Sequence, residues 1–172
     1  MKKNTYFYTL IFLKITILQV SVEKVASIER KKLEKLLQLY LHDLSLYFPI
    51  TFDSKVCEYE YNLNKYFDKN YAYFIKSSDD ILGFVLVDDN LEDNYEISEM
   101  FVLNNYKGKK VGEEAVKKIF DIYKGNWTIK TVPLSPIAES FCRKTVNNYT
   151  NGNFRLEHTG KYNRAELYFK NN

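Results

Sequence analysis

Cysteine, histidine, proline and glycine are all scarce in this chain. Its 172 residues contain two Cys, two His, three Pro and six Gly. Cys57 and Cys142 lie far apart and outside any C-x-x-C spacing, which excludes a disulfide scaffold and reads as reduced thiols in a cytoplasmic protein. His42 and His158 stand in no H-x-x-x-H or C-x-x-C setting, so no metal site is expected. With so little Pro and Gly there is no linker, repeat or low-complexity tract, and residues 1–172 read as one domain. A strong charge of one sign is missing too. Lys and Arg number 25 against 22 Asp and Glu, a net +3. Those charges are dispersed, so no nucleic-acid partner is expected. A long uninterrupted apolar run is also absent. The opening MKKNTYFYTLIFLKITILQV has the basic start of a signal peptide, but Lys14 breaks the run and no A-x-A site follows. The stretch is too short and interrupted for a membrane span, so no membrane partner is expected. Residues 1–14 read as an N-terminal extension.

What the chain does have is an ordinary globular balance. It is 45% hydrophobic and 27% charged, with aromatics at 16%, including fifteen Tyr. Ile15 to Val22 reads as a first strand. Ser27 then precedes a helix whose Leu33, Leu36, Leu37, Tyr40, Leu41, Leu44 and Tyr47 follow the i, i+3, i+4 rule, and Pro49 ends it. A shorter helix is expected around Tyr59 to Phe67. Tyr71–Lys76 and Ile81–Val87 read as strands of a hairpin joined by SSDD. A longer strand runs from Tyr95 to Leu103. Helix returns at Val111–Tyr123, with Gly125 closing it in the C-cap region. Trp127–Val132 is the next strand, Pro136–Tyr149 the next helix with Pro136 near its first turn, and Phe154–His158 and Ala165–Phe169 are the last strands, around Gly160. Helices alternate with strands only in the second half, so a mixed sheet flanked by helices is expected.

The most informative stretch is Tyr95 to Gly112, YEISEMFVLNNYKGKKVG. A strand ends in a polar loop with two glycines and three lysines, and the loop opens a helix. Such a loop gathers backbone N–H groups and a helix N-terminus at one point, a ready site for phosphate. The unit points to a ligand that carries pyrophosphate. Taken alone, it also fits a solvated basic loop that caps a helix.

In its ordered pieces, the chain resembles the GNAT N-acetyltransferase superfamily, and within it bacterial GNAT-domain proteins of unassigned substrate. ISEMFVLNNYKGKKVGEEAVKKIFD looks like the superfamily's fourth strand, pyrophosphate loop and following helix. GNWTIKTVPLSPIAESFCRK looks like its fifth strand and next helix, KLLQLYLHDLS like a first helix, and DDILGFVLV like a third strand. The resemblance implies an α/β (α+β) domain: a mixed, mostly antiparallel central sheet flanked by helices, with a splayed coenzyme-binding cleft. It also implies acetyl-CoA as cosubstrate, with no metal. The superfamily's Q/R-x-x-G-x-G/A loop falls on Lys107, Gly108, Lys109, Lys110, Val111 and Gly112. Lys110 takes the place of a glycine that would permit positive φ, although Gly108 offers a flexible point upstream.

The site that follows from the resemblance is specific. Backbone N–H groups of Lys107 to Gly112 would hold the coenzyme pyrophosphate, and the backbone of Phe101, Val102 and Leu103 would pair with the pantetheine arm. Ser135 would contact the coenzyme or cap its helix, and Phe141 would pack beside the coenzyme. Glu96 and Glu99 are three apart, so on a regular strand they face opposite sides. Glu99 matches the acidic position before the pantetheine-binding residues and is the expected base. Charge on a half-exposed strand is the simpler reading of both. Cys142 stands where the superfamily often has a Tyr acid. A small core residue explains it equally, and Tyr149 is the substitute acid.

The function expected is transfer of an acetyl group from acetyl-CoA to a primary amine of a small molecule or peptide, by direct attack, in a monomer or homodimer. Two alternatives remain: a non-catalytic acyl-CoA-binding or sensor module of the same fold, and an interaction domain that binds no coenzyme.

Overall fold

The computed structural model describes residues 18–47, 49–69, 71–91 and 93–172. Seven strands form one sheet in the order β1-β4-β5-β6-β7-β9-β8. These are β1 (Ser21–Lys24), β4 (Ala72–Ser77), β5 (Asp80–Leu91), β6 (Asn94–Val102), β7 (Gly125–Lys130), β8 (Arg155–Thr159) and β9 (Arg164–Asn171). Every pairing is antiparallel except β6 with β7. A separate ribbon joins β2 (Phe52–Asp53) to β3 (Glu58–Tyr59). The mixed, mostly antiparallel sheet is thus the one expected.

Among the described residues, four helices cover the two faces: α1 (Arg30–Leu44), α2 (Asn64–Asp68), α3 (Val111–Ile122) and α4 (Pro136–Thr150). On one face, Leu33, Leu37, Leu41 and Leu44 of α1 pack with Tyr66 of α2 on Phe74, Phe84, Leu86 and Phe101. On the other, Val111, Ala115, Val116, Ile119 and Phe120 of α3 and Val146 of α4 cover Tyr73, Ile75, Val85, Val102 and Trp127. A fully buried Leu or Phe contributes about 1.5–3 kcal/mol, so these two layers hold the sheet between them.

Several boundaries differ from those the sequence suggests. The first strand begins at Ser21 and runs to Lys24, while residues 15–17 lie outside the described ones. The second helix is only Asn64–Asp68, and Glu58–Tyr59 is strand. Gly125 does not cap α3. It opens β7, opposite Asn171, and a Cβ there would lie 2.5 Å from the Asp93 carbonyl oxygen. The C-cap of α3 is Tyr123, in extended backbone.

Two features of the sheet shape the middle of the molecule. β6 pairs with β7 only over Asn94–Glu96 and Asn126–Thr128. From Ile97 onward the β7-facing edge of β6 has no strand beside it among the described residues. The second feature is a bulge in the β5/β6 ladder. Leu86 lies opposite Glu99, but the next residue, Val87, lies opposite Ile97, so Ser98 is the extra residue on β6.

At the splayed end, β5 and β6 approach so closely that a Cβ on Gly83 would lie 2.0 Å from the Phe101 carbonyl oxygen. That atom is backbone and cannot swing aside. Gly83→Ala is therefore expected to lower stability by at least about 2 kcal/mol, read as a shift of the urea midpoint. An unchanged midpoint would contradict the close approach.

Candidate active site

The cleft begins with the ladder phase of β6. The Leu103 N–H donates to the Leu82 carbonyl at 2.9 Å. In an antiparallel ladder, successive residues turn their N–H and C=O groups to opposite edges. Since Leu103 faces β5, Val102 turns its N–H and C=O toward the gap beside β7, and so does Met100. Phe101 faces β5. The Leu103 carbonyl also accepts from the Tyr106 N–H at 2.8 Å. Of the three residues expected to offer backbone to a pantetheine arm, only Val102 turns its groups to the open edge. Met100, which the sequence reading passed over, is the second.

Next along the chain is the loop. A helical turn at Asn104–Tyr106 is followed by Lys107, whose own N–H bonds the Asn104 carbonyl at 3.3 Å. Gly108 has φ 77° and Lys110 has φ 62°. The flexible point therefore does not simply move upstream: the loop makes two left-handed turns, and Lys110 makes the second as the N-cap of α3. The first intrahelical bond runs from the Glu114 N–H to the Lys110 carbonyl at 3.0 Å. The N–H groups of Lys110, Val111, Gly112 and Glu113 thus have no carbonyl one turn back. They sit at the positive end of the α3 dipole, where anions are favoured. Glu113 joins the set by its backbone. Its carboxylate is taken up by Lys117 at 2.7 Å and Asn148 at 3.0 Å, and these bonds, the one from Lys117 first, hold its pKa below the usual carboxylate range.

The lysine side chains divide. Lys107 reaches Asp43 of α1 at 3.5 Å and stands 5.7 Å over the Phe101 ring. Lys109 stands 5.7 Å over the Tyr106 ring. Lys110 is exposed.

Gly112 is also where three elements meet. A Cβ there would lie 2.7 Å from Met100 Cε and 3.3 Å from Phe141 Cε2 and Cζ. The glycine lets β6, α3 and α4 converge, and it brings Phe141 to the loop. Ser135 is the N-cap of α4, its Oγ accepting from the Ala138 N–H at 3.3 Å. That is the capping role of the two expected for it.

The bulge at Ser98 decides where Glu99 points. Tyr95, Ile97, Met100 and Val102 pack on the α3 and α4 face, and Phe101 packs on the α1 face. Ser98 bonds Tyr66 of α2 and Glu99 bonds Tyr40 of α1, so both turn to the α1 face. So does Glu96, between Tyr95 and Ile97. The expectation that Glu96 and Glu99 face opposite sides is wrong, because the extra residue between them restores the parity that a spacing of three would break. Glu96 pairs with Lys130 of β7 at 2.7 Å, bridging the strands where they part.

Glu99 is half-buried and doubly hydrogen-bonded. Tyr40 donates to Oε2, and Tyr61 donates to Oε1 at 3.0 Å. Burial raises its pKa, the two tyrosine bonds and Lys65 oppose the rise, the Glu96 charge adds to it, and the net result lies above the ordinary carboxylate range. A carboxylate raised in this way is a stronger base than an ordinary one. In sequence, Tyr40 reads only as part of the apolar stripe of the first helix, and Tyr61 only as part of the short helix expected around Tyr59 to Phe67. The i, i+3, i+4 pattern that places Tyr40 on the buried stripe of α1 gives no sign of where its hydroxyl goes.

Tyr149 is not in this cleft. Its hydroxyl donates to Asp121 at 2.9 Å and accepts from Asn171 at 3.2 Å, and its ring lies against Phe120 and Phe169. Asp121 is about 14 Å further along α3 than Gly112, at 1.5 Å per residue. The substitute acid expected from the sequence is thus at the wrong end of the helix pair. Cys142, beside Phe141 on α4, packs against the core. Burial pushes its thiol up to about 12, so it keeps its proton at neutral pH and is a poor nucleophile. Among the described residues, no group of three His, Cys, Asp or Glu is placed to hold a metal ion. None of their helices is long and apolar enough to cross a membrane.

A parallel pair that splays beside a helix N-terminus puts an open strand edge and an anion-favouring helix end in one cleft. The sequence model of the acetyltransferase (GNAT) family matches residues 33–144, and the chain belongs to that family. Solved structures agree on the fold. An acetyltransferase from Thermus thermophilus superposes with a TM-score of 0.64 at 11% identity, over 90% of this chain and 99% of that one. Spermidine N-acetyltransferase from Vibrio cholerae, in complex with CoA and spermine, gives 0.57 at 13% identity, over 88% and 95%. A GNAT-family acetyltransferase from Listeria monocytogenes gives 0.59 at 12%, over 88% and 95%. No curated protein matches the sequence.

The left-handed Lys110 should cost stability. A non-glycine residue there costs about 1–2 kcal/mol, and the entropy of a glycine offsets part of that. Lys110→Gly is expected to raise stability by up to about 1 kcal/mol, while the β-branched Lys110→Val should lower it by at least about 1 kcal/mol. Chemical denaturation of the two variants checks the sign of each.

Proposed function

We propose that the protein is an N-acetyltransferase that moves an acetyl group from acetyl-CoA to a primary amine by direct attack. The observation that carries this reading is the parting of β6 from β7 after Glu96, with Val102 backbone groups at the open edge. The unpaired amides of Lys110 to Glu113 lie at the far end of that edge.

In this reading the pantetheine arm takes the place of the missing strand and pairs with Met100 and Val102. The pyrophosphate lies on the N-terminus of α3, with Gly108, Lys109 and Lys110 around it and Lys107 supplying charge from its side chain. Phe141 packs beside the coenzyme. The Val102 N–H polarises the thioester carbonyl as negative charge grows on its oxygen. The amine needs its lone pair, and Glu99 takes its proton directly or through water. The tetrahedral intermediate then expels coenzyme A as thiol or thiolate. The high thiol pKa of Cys142 speaks against an acyl-cysteine intermediate. Sulfur of low basicity can leave as thiolate, so the chemistry does not depend on Tyr149.

The acceptor is a small-molecule or peptide amine. Spermine in the Vibrio cholerae complex is an amine of the first kind. A cytoplasmic setting fits the two free thiols. The assembly proposed is a monomer or a homodimer.

A second reading is favoured by one observation. With Tyr149 tied to Asp121, no tyrosine of α4 stands at the cleft, and a non-catalytic acyl-CoA-binding or sensor module would have no need of one. Thermal unfolding with acetyl-CoA comes first. At a hundredfold excess over the dissociation constant, binding adds about 2.7 kcal/mol, a rise of about 5–11 °C for a domain of this size. No rise would sink both readings. An amine panel then separates them, since the sensor binds without turnover. For the enzyme, Glu99→Gln is expected to cost about 10²–10⁴-fold in kcat with the acetyl-CoA thermal shift retained. The wild-type rate should fall with acid through a pKa above the ordinary carboxylate range, because the protonated carboxyl cannot accept. An equal rate in the variant would remove Glu99 as base.

A further inference from the structure

Glu99 is one end of a chain of hydroxyls that crosses three elements. The Tyr40 hydroxyl from α1 meets Oε2, and the Tyr61 hydroxyl, from the segment between β3 and α2, meets Oε1 at 3.0 Å. Behind Tyr61 stands Tyr66 of α2, hydroxyl to hydroxyl at 3.2 Å, and Tyr66 meets Ser98 Oγ at 2.8 Å. Ser98 is the bulge residue of β6. The network therefore closes on the same strand it began from, one residue away from Glu99. Tyr66 is fully buried, and the Tyr40 ring is wedged at 5.8 Å from Phe84 and 6.1 Å from Phe101. These are anchored side chains, and their hydroxyls are held in place by their rings.

We propose that Tyr40 and Tyr61 are positioning residues for Glu99: together they fix the plane of its carboxylate and set the pH at which it accepts a proton. The proposal rests on the acetyltransferase reading for its purpose, though not for its geometry. A carboxylate has about four lone-pair sites. One hydroxyl on each oxygen occupies two of them, leaving one on each for a proton taken from the acceptor. A half-buried carboxylate with no donors would keep its proton to a higher pH and be unavailable as a base below it. Each hydroxyl stabilises the ionised form and opposes that effect.

The other groups around Glu99 are accounted for. Lys65 of α2 lies 4.7 Å over the Tyr66 ring and pairs with Asp88 of β5. Glu96 of β6 pairs with Lys130 of β7. Burial and Glu96 raise the carboxyl pKa, while Tyr40, Tyr61 and Lys65 lower it. Both tyrosines, desolvated and beside the carboxylate, are raised above their usual pKa. They stay protonated, and stay donors, across the working range of pH.

The test is a titration of Glu99 itself. Protein labelled with 13C at the glutamate side-chain carboxyl is titrated by NMR, and Glu99→Gln assigns the signal. Tyr61→Phe and Tyr40→Phe each keep the ring and remove one donor. Each is expected to raise the Glu99 pKa by about one unit. In the acetylation assay the acid limb of kcat should move up by the same amount, with KM for acetyl-CoA unchanged. A merely structural role for the rings would leave both titration and pH profile in place. Should Tyr40→Phe fail to fold, Tyr61→Phe decides alone. An unmoved Glu99 titration in the folded variants overturns the proposal. A moved titration in a protein that acetylates no amine upholds the two tyrosines as the groups that set Glu99, and counts against the acetyltransferase reading instead.

Discussion

The brevity of the β6/β7 pairing governs the rest of the molecule. Parallel pairing holds for three residues and then stops. Beyond Glu96 each strand follows its other neighbour and the two diverge. β6 is held on its other edge by β5 down to Gly83 and Val102, and β7 is held by β9 as far as Lys130 and Glu166. With helices packed on both faces, neither strand is free to slide into the gap. An unpaired strand edge inside a folded domain is costly unless something fills it. In the function proposed above, the pantetheine arm fills it.

Two local departures from regular backbone serve this gap. The Ser98 bulge turns Glu99 onto the α1 face, where Tyr40 and Tyr61 wait, while the strand beyond it keeps Val102 on the open edge. The left-handed Lys110 ends the loop in time for α3 to begin with its free amides at the same edge. Gly112 then admits Phe141 and Met100 to within van der Waals contact. Bulges and left-handed non-glycine residues are costly or disruptive in isolation. They persist where the surrounding packing fixes them, as the two core layers do here.

Much of this is legible in the sequence. β4, β5 as far as Val87, β6, the span of α3, and Pro136 at the start of α4 all follow from periodicity and turn chemistry. The loop of Lys107 to Gly112 stands out from composition and position as a lysine-rich turn that opens a helix, and its reading as an anion site leans on the family resemblance. Less legible are features set by register. Glu96 and Glu99 share a face because one extra residue sits between them, and a bulge has no sequence mark strong enough to count in advance. Tyr149 ends the α4 pattern correctly, but its hydroxyl belongs to Asp121 on the far end of α3. Gly125 reads as a helix cap, yet the sheet recruits it to β7, where the Asp93 carbonyl leaves no room for a Cβ.

What the sequence by itself determined is most of the elements and the place of the loop, because helix stripes, strand alternation and helix starts are written in spacings of a few residues. What only the tertiary structure decided is which groups meet. Tyrosines from α1, α2 and the segment before it gather in one network around a carboxylate of β6, and a strand edge stays open because β6 and β7 diverge after three paired residues. Those meetings depend on register and on long-range packing, which local periodicity does not encode.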